Sequence, residues 1–333
     1  MFAPRLLLPC IFATFLSACG DSSGPAVSTV AKSAAPTAEA PAPVAAMKKV
    51  GLVMKTLTNP FFIEMEKGGR RAEKELGIEL QVKTAAQETS IEQQIQIVED
   101  LIAAKVGAIV IAPGDSQRLV LALKKAVESG IKVVNIDNRL DPATVSQAGM
   151  APIPFISVDN EKAAYASAKF IADMVTGATK PTQAAILEGI RSADNARQRM
   201  EGAKRAFAEN KQIKLVASES ANWKIDEGYA VTQQIFTKHP DVKLLFAAND
   251  MMALGALKFL QEAKKTDVKV AAYDALNEAV AEIKAGRLAV SVDQQAAEQG
   301  FQGVALAVRL LKGESVPAVM LIDTRLVTAA TAK

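Results

Sequence analysis

The sequence predicts an α/β protein of two doubly wound parallel-sheet lobes, on three observations. Its 333 residues are enough for about two domains at roughly 150 residues each. From Lys49 onward, short β-branched apolar runs alternate with amphipathic stretches of helical period. That is the pattern of parallel strands joined by right-handed helical crossovers. About ten strand candidates occur, more than one doubly wound sheet comfortably holds, so they divide between two lobes.

The chain opens on a different kind of segment. Residues 1–18 carry one basic residue, Arg5, then an apolar run from Leu6 to Leu16. The run is too short to cross a bilayer, which takes about 20 residues, but suits a secretory signal. Leu16-Ser17-Ala18-Cys19 resembles the bacterial lipoprotein box, which implies cleavage before Cys19 and a lipid on its thiol. The alternative is an ordinary signal peptide cut near Ala18. Residues 19–48 are mostly Ala, Pro, Ser, Gly and Thr and cannot bury enough surface to fold, so they read as an extended tether. The body is expected outside the cytoplasm, in the periplasm, anchored to the cell envelope membrane through Cys19.

In the body, strands are expected at Val50–Met54, Leu80–Lys83, Ala108–Ile111, Lys132–Asp137 and Phe155–Val158. The second half adds Ala184–Leu187, Lys214–Ala217, Leu244–Ala247, Val268–Tyr273 and Ala289–Val292. Between them lie helices such as Pro60–Leu76, with Phe61, Met65, Ala72 and Leu76 on one face. Ile91, Ile95, Val98 and Ile102 mark another over Ile91–Ala104. No period of 20–50 residues marks a solenoid.

Composition removes several function classes. Lys and Arg total 39 against 36 Asp and Glu, a net +3 that argues against a nucleic-acid partner. His239 is the one histidine, in a His-Pro turn ahead of a strand, which rules out a histidine-rich metal site or a two-histidine mechanism. Both cysteines, Cys10 and Cys19, fall in the first 20 residues, so the body has no disulfide, cysteine nucleophile or zinc site. A dinucleotide cofactor would want Gly-x-Gly-x-x-Gly after the first strand, where Met54-Lys55-Thr56-Leu57-Thr58-Asn59 has no glycine. No cofactor, metal or enzymatic activity is expected.

In open parallel sheets, ligands sit beyond the carboxyl ends of the strands. Those ends deliver Lys55 to Phe62, Ala112 to Ser116 and Asp137-Asn138-Arg139. In the second half they deliver Glu188-Gly189 with Arg197 soon after, Ser220 to Trp223, Asn249-Asp250, Tyr273-Asp274 and Asp293-Gln294. Carboxylates and amides that take hydroxyl protons, an arginine that donates and flat rings for C–H faces describe a polyol site. Helix capping explains Asn59-Pro60, Asn249-Asp250 and Asp274 equally well one at a time. It does not predict Arg197 and Trp223 at strand ends.

Four ordered blocks then resemble the periplasmic sugar-binding proteins of the ribose-binding type, the solute-capturing components of ABC importers. They are Thr56-Leu57-Thr58-Asn59-Pro60-Phe61-Phe62, Asn195-Ala196-Arg197-Gln198-Arg199-Met200-Glu201-Gly202, His239-Pro240-Asp241-Val242, and the run from Asn249 to Ala256. The resemblance implies a type I periplasmic binding protein, two lobes on a three-segment hinge, with crossings near Ser157–Asn160, Gln294 and Asp323. The first lobe would be 49–158 plus 295–322 and the second 159–294 plus 323–330. By position it implies ligand contacts at Asn59, Phe61, Phe62, Asp137, Arg197, Trp223, Asn249, Asp274 and Gln294. Three positions depart: Lys55 stands where ribose binders have a small hydroxyl residue, Ala112 replaces an asparagine, and Asn138, itself expected in the ligand set, follows Asp137 where an arginine is usual. Lys55 either bonds a hydroxyl or acidic group of the ligand, or points to solvent or pairs with a neighbouring residue. The implied cycle is capture of a monosaccharide by hinge closure and delivery, as a monomer, to an inner-membrane ABC permease. The alternative partner is a chemoreceptor or sensor kinase. A repressor sharing this body would need a helix-turn-helix where the leader and tether stand.

Overall fold

The computed structural model describes residues 48–177 and 179–332, together with Gly24. The leader, Cys19 and the expected tether up to Met47 lie outside the described residues, apart from Gly24.

The first half runs β1 (Lys49–Met54), α1 (Pro60–Leu76), β2 (Glu79–Thr84), α2 (Ile91–Ala103), β3 (Ala108–Ile111), α3 (Val120–Glu128), β4 (Lys132–Ile136), α4 (Pro142–Gln147) and β5 (Phe155–Ser157). The second runs α5 (Asn160–Ala172), β6 (Thr182–Glu188), α6 (Asp194–Glu209), β7 (Ile213–Ser220), α7 (Ile225–Lys238), β8 (Val242–Ala247), α8 (Asp250–Glu262), β9 (Lys269–Ala271), α9 (Asn277–Lys284) and β10 (Val290–Asp293). The chain finishes with α10 (Ala296–Leu311), β11 (Val319–Leu321) and β12 (Arg325–Thr328).

The strands form two six-stranded sheets, ordered β11-β5-β4-β3-β1-β2 and β12-β10-β9-β8-β6-β7. In the first, the chain steps from β1 out to β2 and then returns to β3 on the other side of β1. In the second it repeats the move from β6 to β7 and back to β8. Each sheet therefore has a topological switch point, beside β1 in one and β6 in the other, where α/β proteins open their ligand crevice. The chain passes between the sheets three times, at β5 to α5, β10 to α10 and β11 to β12.

Local chemistry accounts for the elements. Strands β1 and β3 are buried on both faces, as central parallel strands must be, and read as unbroken apolar runs. Helix α1 starts where Asn59 caps it, its Oδ1 accepting from Phe61 N, with Pro60 in the first turn. It stops at Gly77, whose left-handed φ of 62° suits glycine. Strands β11 and β12 were not expected. Each is three or four residues of partly exposed edge, and β12 runs antiparallel to β10. Pairing with distant β5 and β10 makes them strands, a signal that local periodicity does not carry.

Helix pairs on the sheets approach through glycines. A Cβ on Gly68 of α1 would lie 1.7 Å from Ala297 O of α10, and one on Gly202 of α6 would lie 2.2 Å from Glu161 O of α5. In α8, Gly255 stands likewise against Ile225 O of α7, at 2.0 Å. The obstacle in each case is backbone, which cannot swing aside. Alanine at an exposed helical site would stabilise by up to about 1 kcal/mol. Gly68→Ala should instead destabilise by about 1–3 kcal/mol as an overpacked core does, lowering the thermal midpoint by several degrees; an unchanged or raised midpoint would refute the packing account.

Candidate functional site

At the carboxyl ends of both sheets, residues from the two lobes line a small cavity. The first lobe contributes Lys55, Asn59, Phe61, Phe62, Glu88 and Asp137, and the second contributes Asn195, Arg199, Trp223, Asn249, Asp274 and Gln294. The side chains of all twelve are nearly or wholly buried, so the lobes are closed on one another. A larger groove on the second lobe is lined largely by apolar side chains such as Phe170, Met174 and Leu257. It lacks converging carboxylates and is not the site.

On the first wall, Lys55 follows the end of β1. Its Nζ lies 2.7 Å from Asp137 Oδ2, with both side chains 3% exposed. The contact is an ion pair by distance, yet no well-directed hydrogen bond reaches Oδ2. The same ammonium stands 5.5 Å over the Phe62 ring. Phe61 and Phe62 pack edge to face at 5.1 Å. Asp137 follows β4 in the left-handed region at φ 61°, where its carbonyl accepts from Ser157 Oγ at 2.7 Å. Asn59 does two jobs: Oδ1 caps α1 while Nδ2 donates to Glu88 Oε1 at 2.9 Å. Burial pushes the Glu88 carboxyl above the ordinary range, against the pull of Lys55 and Asn59.

Arg199 organises the second wall. Its Nε donates to Asn160 Oδ1 at 2.8 Å and one terminal nitrogen to Ala248 O at 2.9 Å. The other reaches Gln294 Oε1 at 3.3 Å, and Asp274 Oδ1 stands 3.6 Å from the guanidinium. The guanidinium also lies 3.8 Å over the Tyr273 ring and 5.4 Å from that of Trp223. Trp223, at φ 66°, lies against Gly189, where an added Cβ would sit 2.0 Å from its ring. Asn249 caps α8 through Oδ1 and holds the Trp223 carbonyl through Nδ2 at 3.2 Å. Two polar atoms of this wall, Trp223 Nε1 and Asn195 Oδ1, are buried with no protein partner. One donor and one acceptor are thus left for a bound molecule with hydroxyl groups.

Three carboxylates (Glu88, Asp137, Asp274) meet two cations (Lys55, Arg199) in this cavity. Burial pushes the Asp274 carboxyl up to about 7, against Arg199 and Gln294, which favour its ionised form. Asp250, behind the wall, is raised by burial and by Asp274. It accepts from Ser291 Oγ and Leu276 N and does not line the cavity.

Two expected contacts stand elsewhere. Arg197 is turned out, its side chain 60% exposed and paired with Asp194, whereas Arg199 is 3% exposed in the cavity. Two residues rotate a helix by about 200°, so only one of the pair can face inward. The signal was present: Ala196, Arg199, Ala203 and Phe207 form the buried stripe of α6. Asn138 is fully buried but outside the cavity, where Nδ2 donates to Pro113 O and Oδ1 accepts from Asn195 N. Arg139 lies over the Phe155 ring, away from the site. Glu88 and Asn195 were not foreseen. Glu88 sits in the loop after β2, another strand end of the same sheet.

Among the described residues, no cluster of His, Cys, Asp and Glu could hold a metal ion, and no helix is long and apolar enough to cross a membrane. The model of the periplasmic binding protein domain family matches residues 50–315. A D-ribose/D-allose-binding protein of Pseudomonas aeruginosa is 40% identical over 270 residues, 80% of this chain and 83% of that one. The D-allose-binding periplasmic protein of Escherichia coli is 32% identical over 85% of this chain and 93% of its own. A solute-binding protein of Actinobacillus succinogenes, solved with bound D-allose, superposes with a TM-score of 0.80 at 36% identity. That match covers 86% of this chain and 99% of the other.

The Asp274 environment sets a pH dependence. Between the ordinary aspartate value of 3.8 and about 7, the unfolded chain is ionised at this position and the closed fold holds a proton. Unfolding then releases that proton, so stability falls as pH rises through the window and levels off above it. Thermal melts of the ligand-free protein from pH 5 to 8 should show a midpoint that drops up to about pH 7. Asp274→Asn should flatten much of that slope; an identical slope in the variant would place the titration elsewhere.

Proposed function

The chain belongs to the periplasmic binding protein family, and from that premise we propose that it captures a monosaccharide between its lobes for an ABC sugar importer. The single observation that carries this reading is the cavity itself. Opposed aromatic and charged walls close on a space with polar groups left over for hydroxyls. The ligand set we propose is Lys55, Asn59, Phe61, Phe62, Asp137, Trp223, Asn249, Asp274 and Gln294, with Arg199 in place of Arg197 and with Glu88 and Asn195 added. Lys55 is a cavity residue in this reading and adds a donor beside Asp137. That addition, with relatives named for D-allose, makes D-allose the first candidate and D-ribose the second. The ligand leaves unaltered: closure is the whole of the work, and a permease in the inner membrane receives the closed form.

Location follows the same family. We place the protein in the periplasm as a monomer on a lipid at Cys19, on the strength of the Leu-Ser-Ala-Cys box and the tether composition. Cys19→Ser should then move the protein from the membrane to the soluble fraction and abolish incorporation of labelled palmitate. Retention of label in the variant would defeat the anchor.

Binding is tested directly by the fluorescence of Trp223, the one tryptophan. Titration with D-allose, D-ribose, D-glucose and myo-inositol should give saturable signals for at least the first or second. Hydrogen bonds from charged groups are worth about 1.5–3 kcal/mol. Arg199→Lys, which loses the fork to Gln294 and Ala248, should therefore weaken binding at least about tenfold, while Arg197→Ala should change it less than about twofold. Equal effects of the two variants, or a flat response to all four sugars, would reject the site.

A further inference from the structure

We propose that Ser116 and Asn138 are positioning residues: from the first lobe they cap the N-terminus of α6 in the second, coupling closure to the placement of Asn195 and Arg199. The inference rests on the reading that the lobes close around a sugar.

Helix α6 starts at Asp194 behind Ala193, whose extended backbone (φ −97°, ψ 129°) is that of a helix cap but whose side chain offers no acceptor. The first backbone N–H groups of a helix have no partner within it. Here the other lobe supplies two. Asp194 N donates to Ser116 Oγ at 3.0 Å, and Asn195 N donates to Asn138 Oδ1 at 3.2 Å. A third bond crosses beside them, from Ser116 N to Ser192 O at 3.1 Å.

Both acceptors are held from behind. Asn138 Nδ2 donates to Pro113 O at 3.0 Å, and Asn135 Nδ2 donates to Asn138 O at 2.7 Å. Ser116 O accepts from Asp141 N at 2.8 Å. The crossing is nearly dry, with Asn138 fully buried and Asn195 and Ser116 almost so. When the lobes part, these bonds are lost to water. When they close, the turn of α6 that carries Asn195 into the cavity is pinned, and Arg199 follows one turn later. The clasp therefore favours the closed form before any ligand arrives and slows its reopening afterwards.

The test uses the full chain with two substitutions of opposite local effect. Ser116→Ala removes one acceptor. Ala193→Ser gives α6 a cap of its own, so that its N-terminus no longer needs the other lobe. Caps are worth about 1 kcal/mol, or about fivefold. In the ligand-free protein, both variants should make Trp223 more accessible to acrylamide. With D-allose as the probe, both should speed dissociation about fivefold at an unchanged association rate. A merely structural role predicts otherwise for the second variant, since Ala193→Ser should raise the ligand-free melting temperature while loosening the clasp. Unchanged quenching and dissociation in Ser116→Ala, or tighter closure in Ala193→Ser, would overturn the proposal. If the parent protein does not bind D-allose, the choice of sugar fails, and ligand-free quenching alone still decides the clasp.

Discussion

Charge buried on both faces of a closing cleft is the constraint around which the molecule is built. An ionised group taken out of water must be paired, or the cost exceeds what the rest of the fold can offset. Each wall meets the requirement by itself: Lys55 with Asp137 on one side, Arg199 with Asp274 and Gln294 on the other. Among the bonds that cross near the cavity, Ser116 and Asn138 use neutral groups, and the contact from Asn195 Nδ2 to Asp137 is long at 3.5 Å. Opening therefore separates no close ion pair of these walls. A cleft whose charges were matched across the gap would be held shut by its own electrostatics; this one can cycle.

Geometry at the walls is fixed by backbone that ordinary residues seldom adopt. Asp137, Asn222, Trp223, Asp274, Ala275 and Gln295 all have φ between 49° and 115° and none is glycine. All six lie at strand ends that form the cleft or beside the hinge crossing at β10. Each such residue costs on the order of 1–3 kcal/mol, which persists only where the surrounding structure determines the conformation. The two sheets do so, and the strain turns a carboxylate or a ring toward the cavity instead of along the strand. A hydroxylated solute thus meets groups already aimed, and ordering them is not charged against binding.

Sequence periodicity was a good guide to the central strands and a poor one to the edges. β1, β3 and β8 are buried apolar runs and declare themselves, whereas β11 and β12 exist by pairing with strands distant in sequence, β5 far back in the first half for one and β10 across helix α10 for the other. The rule that ligands sit beyond strand ends found Asn59, Asp137, Trp223, Asn249 and Asp274, because topology alone brings them to one place. It could not choose between Arg197 and Arg199, which share a helix turn; the apolar stripe of α6 does choose. Nor could it separate capping from ligand contact at Asn59 and Asn249. In the structure each amide caps with its oxygen while its nitrogen bonds another residue of the cavity, Glu88 for Asn59 and the Trp223 carbonyl for Asn249.

The proton balance of the cavity ties these points to the proposed role. With three carboxylates against two cations, the closed ligand-free cleft is relieved by a proton on Asp274, whose carboxyl is raised to about 7. A ligand that donates hydroxyl hydrogens to that carboxylate stabilises its charge and expels the proton; an anionic ligand would add to the surplus instead. The same walls offer little to a reaction. Arg199 is held by four groups, and Lys55 is paired with Asp137 beneath an aromatic ring. No histidine or cysteine lines the cavity to serve as base or nucleophile. Groups so fully engaged suit the proposed role, recognition of a neutral polyol and its release unchanged, and the carboxylate surplus disfavours an anion in its place.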